Sequence, residues 1–264
     1  MNAAPATQPH LRLVRDDDPP RDGDLIAPAP AASIAGDAVG QVEALRTEIT
    51  ALTAELSLLR RKGETLNFHM SRLDEELRLA ARLQQDFLPK SIPQIGRVHF
   101  HTLFRPAGYV SGDFYDVMRL DEKNVGFYIA DAVGHGVPAA LLTMFIKHAL
   151  ATKQITKSGY RLLGAGETMT RLNETLMEQN LSAATFATAL YGTINVETLQ
   201  LTFARGGHPH PILLRANGEV EPLLSDGGLL GVFPGETFDE RTVQLAQGDR
   251  LLLFTDGIEV IFSD

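Results

Sequence analysis

The most regular pattern in the chain is an apolar seven-residue repeat that starts at Val42. Position a holds Val42, Ile49, Leu56, Gly63, Met70 and Leu77; position d holds Leu45, Leu52, Leu59, Leu66 and Leu73, followed by Ala80 and Phe87. Charged residues fall mostly outside this stripe. Leucine at d with β-branched residues at the first a positions predicts a parallel two-stranded coiled coil, and hence a homodimer. At ~1.5 Å per residue the segment 42–88 makes a rod of roughly 70 Å. Gly63 weakens it by about 1 kcal/mol relative to alanine. Arg61-Lys62-Gly63-Glu64 also reads as a turn between two helices folded back on each other. The heptad phase nevertheless passes through Gly63 without an inserted or deleted residue, which a loop has no need to preserve. One continuous helix is expected, ended by Pro89 and Pro93.

Either side of the repeat the pattern changes. Residues 1–40 hold six of the fourteen prolines and the cluster Arg15-Asp16-Asp17-Asp18, with no sustained period. They read as a disordered tail, with a docking peptide as the functional alternative. From about residue 97 short apolar runs alternate with helical patterns. Strands are expected over 98–104 and 125–130, and an amphipathic helix over 138–152 with proline in its first turn. A second helix is expected over 166–180. Consecutive antiparallel strands follow over 185–195, 199–204 and 212–215, and a last buried strand over 250–254 leads into Asp256. Helices segregated from antiparallel strands make this an α+β chain. The division is therefore a tail (1–40), a coiled-coil helix (41–90) and an α+β domain (91–264).

Composition narrows the function classes. With 33 acids against 24 bases the net charge is −9, which argues against a nucleic-acid surface. The absence of cysteine removes disulfides and thiolate metal sites. The first twenty residues lack the apolar core of a signal peptide, and no run approaches the ~20 apolar residues of a membrane span. The expectation is a soluble cytoplasmic protein.

Candidate chemistry lies in three aspartates set among small residues where apolar runs give out: Asp113, Asp131 and Asp256. Hard divalent cations take oxygen ligands, and a pair of them needs carboxylates converging from distant parts of a chain. Such a pair suits phosphoester hydrolysis, because it lowers the pKa of a shared water and neutralises phosphoryl charge. Asp131 is the candidate to bridge both ions, Asp113 and Asp256 each completing one side, with the Ala132 carbonyl as a further oxygen. Taken singly, each of these aspartates is more commonly structural, and Asp256-Gly257 alone reads as a turn.

The surrounding strings carry a resemblance. Val110-Ser111-Gly112-Asp113-Phe114-Tyr115-Asp116, then Ile129-Ala130-Asp131-Ala132-Val133-Gly134-His135-Gly136, resemble segments of bacterial SpoIIE/RsbU-type serine phosphatases, part of the metal-dependent, protein phosphatase 2C-like superfamily. Phe186-Ala187-Thr188-Ala189-Leu190-Tyr191, Ala204-Arg205-Gly206-Gly207-His208-Pro209, Gly228-Leu229-Leu230-Gly231-Val232 and Leu253-Phe254-Thr255-Asp256-Gly257 follow in the same order. Leu83-Gln84-Gln85-Asp86-Phe87-Leu88-Pro89 is similar to the helix end that precedes this domain. The resemblance implies a four-layer α-β-β-α sandwich with two Mn²⁺ or Mg²⁺ ions held by Asp113, Asp131 and Asp256. It implies phosphoserine or phosphothreonine substrates on STAS-domain anti-sigma-factor antagonists in partner-switching pathways.

The family often has Asp-Val-Ser-Gly-His-Gly where this chain has Asp131-Ala132-Val133-Gly134-His135-Gly136. Members also continue to a closing strand with an Asp-Asp pair, whereas this sequence stops at Asp264; Glu259 and Asp264 lie in no matching motif. A C-terminally incomplete domain is expected, and a pseudo-phosphatase binding module is the alternative to an enzyme. His135 is expected to organise its loop through a backbone hydrogen bond. Arg105 and Arg205 are candidate phosphate contacts. Helices 138–152 and 166–180 are expected to relay signals from the coiled coil.

Overall fold

The computed structural model describes residues 31–157, 159–179 and 185–258, with side chains from residue 38 onward. It divides into two units, residues 1–67 and 68–264. Helix α1 (Ala31–Phe87) runs without a break through Gly63, as the preserved heptad phase predicts. It begins inside the stretch expected to be a tail, where Ala31, Ala32, Ala35 and Ala38 favour helix; residues 1–30 lie outside the described residues. Thr47, Thr50, Thr53 and Thr65 each donate their hydroxyl to the carbonyl four residues back, so these mid-helix threonines have partners. The apolar seam lies open, 49% exposed at Val42 and 66% at Leu56. No helix among the described residues is long and apolar enough to cross a membrane.

The second unit is built on a five-stranded antiparallel sheet in the order β1 (Asp113–Arg119), β2 (Asn124–Ala132), β5 (Ala187–Asn195), β6 (Gln200–Gly206), β9 (Glu240–Gln244). A three-stranded sheet sets β7 (Ile212–Leu214) between β10 (Arg250–Leu252) and β8 (Val220–Pro222). Helices α2 (Gly136–Ala149) and α3 (Ala165–Glu178) cover one face of the larger sheet, and a hairpin of β3 (Lys153–Thr156) and β4 (Gly159–Leu162) joins them.

Strand alternation explains the layering. On β2 and β5, Tyr128, Ala130, Ala132, Ala187, Ala189 and Tyr191 face α2 and α3. The alanines leave room for Leu142, Ile146, Met169 and Leu172 to pack against the sheet. The alternate residues Val125, Phe127, Leu190 and Ile194 face the smaller sheet and meet Leu213 and Leu251. Because both faces are covered, β2 and β5 read as nearly unbroken apolar runs. Gly192 belongs to the second set, where a Cβ would stand 2.4 Å from the Phe127 ring.

Several expectations are corrected. No strand forms over 98–104. Val98 makes only an isolated bridge with Ile95, while Phe100 docks against Phe127 at a 6.0 Å ring separation, so its side chains pack without a ladder. The segment 212–215 does not continue the β5–β6 ladder: the chain crosses at 207–211 and β7 joins the other sheet. The strand expected over 250–254 is an edge strand of three residues in which only Leu251 turns inward. Asp113 opens a strand rather than closing one. Helices α2 and α3 form the helical layer among the described residues; the α-β-β part of the expected sandwich is present.

Candidate metal centre

Asp113 and Asp131 are direct cross-strand partners in the β1–β2 register. Residues so paired share a face with Cβ atoms roughly 5 Å apart, and like charges there are destabilising. The face is set by parity. Asp131 lies two residues beyond Ile129 and four beyond Phe127, so it belongs to the row that fills the space between the sheets. Asp113 stands in the same row as Val117. Thr188 of β5 follows directly opposite Asp131. The interior face is thus apolar along most of its length and becomes acidic at one end.

Asp256 arrives from the smaller sheet. After β10 the chain passes through Leu253, Phe254 and Thr255 into a single turn of 3₁₀ helix over 256–258. The Thr255 hydroxyl donates to Asp113 Oδ2 at 3.2 Å, tying this turn to β1. Burial pushes the Asp131 carboxyl up to about 6, and the charges of Asp113 and Asp256 add to the rise. Asp113 is raised too, by burial first and by Asp256, against the Thr255 hydrogen bond. None of the three makes an ion pair among the described residues. Asp113 and Asp131 are thus held beside a third acid with no base to neutralise them among the described residues, an excess of negative charge that a divalent cation would relieve. They do not close into a group of three at ligand spacing among the described residues.

The Ala132 carbonyl lies against Gly112, where a Cβ would stand 3.0 Å from it and 3.3 Å from the Ala139 Cβ. The Ala132 N–H donates to the Gly112 carbonyl at 2.9 Å. Glycine at 112 is thus what allows the first acidic loop to press onto the second. Gly134 and Gly136 adopt positive φ, 85° and 73°, which turns the chain from β2 into α2.

Other expected site residues have different places. His135 is exposed at the N-cap of α2 and makes no side-chain capping bond; the backbone hydrogen bond expected of it is absent among the described residues. Arg205 is committed elsewhere, its Nε donating to the Ser225 carbonyl at 3.1 Å and its Nη1 to the His208 carbonyl at 2.8 Å. Arg105 is exposed and unpaired among the described residues. Glu259 and Asp264 lie outside them. Sequence reasoning missed Thr255 and Thr188. Thr188 Oγ1 is 2.8 Å from Nδ1 of His208, which is only 1% exposed. Burial lowers that imidazole to about 4, although the nearby Phe254 carbonyl opposes the shift without closing a hydrogen bond to Nε2. His208 is therefore a neutral spacer between β5 and the strand leading to Asp256. The signal for it lay in Gly206-Gly207-His208, since Gly207 at φ 65° turns the chain inward.

Comparison with known proteins agrees with this architecture. Phosphoserine phosphatase RsbU of Bacillus subtilis (strain 168) is 29% identical over 196 residues, covering 74% of this chain and 56% of that protein. Phosphoserine phosphatase RsbP of the same organism is 28% identical over 183 residues, covering 69% and 45%. The chain spans about half the length of these curated relatives. Among solved structures, the SiaA-PP2C domain of Pseudomonas aeruginosa superposes with a TM-score of 0.54 at 24% identity, covering 71% of this chain and 73% of that one. The model of the family described as stage II sporulation protein E (SpoIIE) matches residues 121–259, more than half of the chain, and the chain belongs to that family.

Proposed function

We propose that the chain is a metal-dependent protein phosphatase that hydrolyses phosphoserine or phosphothreonine on a regulatory protein. The observation that carries this reading is the cross-strand pair of Asp113 and Asp131, with Asp256 near enough to raise both carboxyls and no base paired with them among the described residues, at the end of an otherwise apolar interior. All the donors are oxygen, the chemistry that Mn²⁺ and Mg²⁺ prefer. Asp131 would bridge two ions, Asp113 and Asp256 would hold one side each, and the Ala132 carbonyl would add a fourth oxygen. The ions supply charge neutralisation at the phosphoryl group and an activated water. The protein's part is positional. The β1–β2 ladder fixes two carboxylates, Thr255 orients Asp113, and the uncapped first turn of α2 leaves N–H groups free to face a phosphate. Arg105, exposed and unpaired among the described residues, is the candidate guanidinium for a substrate contact.

The relatives named as phosphoserine phosphatases favour a phosphoserine protein substrate. We take it to be a STAS-domain anti-sigma-factor antagonist of a partner-switching pathway in the cytoplasm. The exposed seam of α1 is proposed to pair with the same seam of a second copy, so that helix packing regulates the phosphatase through α2 and α3. Deleting residues 41–79 should then turn a dimer into a monomer in analytical ultracentrifugation; an unchanged monomer–dimer balance refutes the pairing.

The test of activity is phosphate release from a phosphoserine STAS-domain protein. Hydrolysis should require both Mn²⁺ and Asp131, and Asp131→Asn should abolish it. Turnover in EDTA or by the variant refutes the metal reading. A second reading, a pseudo-phosphatase that holds a phosphorylated partner, is favoured by the lack of a closed ligand group among the described residues. Stable capture of the phosphoprotein without phosphate release would select it.

A further inference from the structure

Gln84 is the only buried residue of α1 among the described residues, 4% exposed in a helix whose apolar stripe is open. The heptad places it at position a, seven residues after Leu77, where an apolar seam residue is expected. Its amide is fully used. Nε2 donates to the Ser111 carbonyl at 2.7 Å, and Oε1 accepts from the Ser111 N–H at 2.9 Å. Nε2 also reaches Thr143 Oγ1 of α2 at 3.4 Å. A side-chain amide thus takes the role of a strand neighbour for one residue, satisfying both of its main-chain groups.

Ser111 passes this constraint on. Its hydroxyl accepts from the Asp113 N–H at 3.1 Å, while the intervening Gly112 carbonyl accepts from Ala132 at 2.9 Å. A second tie lies ten residues back along the helix, roughly 15 Å away. There the Tyr109 hydroxyl donates to Asp74, which also accepts from Arg78 Nε at 2.7 Å. Two ties to residues 109 and 111 fix both the rotation and the translation of the helix end against the first acidic loop.

We propose that Gln84 is a positioning residue for the metal centre. By pairing with Ser111, it holds Ser111-Gly112-Asp113 so that the Asp113 carboxylate faces Asp131. A residue that merely filled space here would be apolar like its heptad neighbours. An unsatisfied buried amide is costly, so its presence requires these partners. The role rests on reading Asp113 as a metal ligand.

The test is Mn²⁺ titration of the full chain by calorimetry without substrate, alongside thermal melts in EDTA. Gln84→Met keeps the length and loses both bonds to Ser111; it should weaken Mn²⁺ binding on the order of 10-fold, the scale for removing a group that orients a ligand. Gln84→Glu, which keeps the acceptor for the Ser111 N–H, should fall between it and wild type. Gln85→Leu, on the exposed side, should bind as wild type. If Gln84→Met does not fold, Gln84→Glu carries the comparison. Variants that melt earlier in EDTA but bind Mn²⁺ as tightly as wild type would overturn the positioning role and leave a structural peg. A wild-type chain that takes up no Mn²⁺ would overturn the metal reading itself, and this role with it.

Discussion

Asp131→Asn should stabilise the metal-free protein at neutral pH while abolishing its response to metal. The Asp131 carboxyl rises from 3.8 to about 6 because it is buried beside Asp113 and Asp256. Fully desolvated, such a rise corresponds to about 3 kcal/mol. Asp131 is only partly buried, so solvent screening leaves about 1–1.5 kcal/mol. The folded state binds the proton more tightly than the unfolded chain, so the stability linked to this group is intact below about pH 4 and lost as pH rises through about 6. Asparagine carries no charge to penalise. In urea unfolding with EDTA, the variant should therefore exceed wild type by about 1 kcal/mol at pH 7.5, a gain of about 2–4 °C in melting temperature for a chain of this size. The advantage should vanish near pH 4. Mn²⁺ at a hundred times its dissociation constant should reverse the order, adding about 2.7 kcal/mol to wild type alone. A variant less stable than wild type in EDTA at pH 7.5, or an advantage that persists at pH 4, would refute the claim that burial beside Asp113 and Asp256 penalises the Asp131 charge.

Two further substitutions probe the walls of the site. Thr255→Val removes the hydroxyl that donates to Asp113 and should raise the Mn²⁺ concentration for half-maximal phosphate release about 10-fold; Thr255→Ser should restore it, and equal metal dependence in all three proteins would show the contact to be incidental. Gly112→Ala drives a methyl group to 3.0 Å from the Ala132 carbonyl and 3.3 Å from Ala139. It should cost about 1–3 kcal/mol in urea unfolding and weaken Mn²⁺ binding in parallel; wild-type values for both would mean the loop relaxes freely.

Periodicity revealed the parts of this fold whose burial is one-sided or total. The heptad from Val42 marked α1, and the apolar runs marked β2 and β5, because a helix stripe and a doubly covered strand each leave a distinct pattern. Strands with one polar face were not legible. In β1 (DFYDVMR) the lysine partner of Asp116 comes from α2, and in β9 (ERTVQ) most side chains meet solvent. The segment 98–104 misled in the opposite direction, since Phe100 and Phe104 pack on rings without a backbone ladder. Of the site, the three aspartates were legible because an acid at the end of an apolar run is chemically conspicuous. Thr188, Thr255 and Gln84 were not, because a hydroxyl or amide acquires its role only from the residue that folding places opposite it.

The pairing of Asp113 with Asp131 makes the site a reading frame as well as a place. The odd-numbered residues of β1 and β2 look between the sheets and the even-numbered ones look toward the helices. Inserting or deleting one residue between Asp113 and Val117 would keep the strand pairing available but exchange the phase of the two faces. Asp113 would then point into the alanine floor beneath α2, and a neighbour without a carboxylate (Phe114 after an insertion beyond it, Gly112 after a deletion) would take its place at the acidic mouth. A change in the length of β1 between Asp113 and Val117 thus preserves the site only in steps of two.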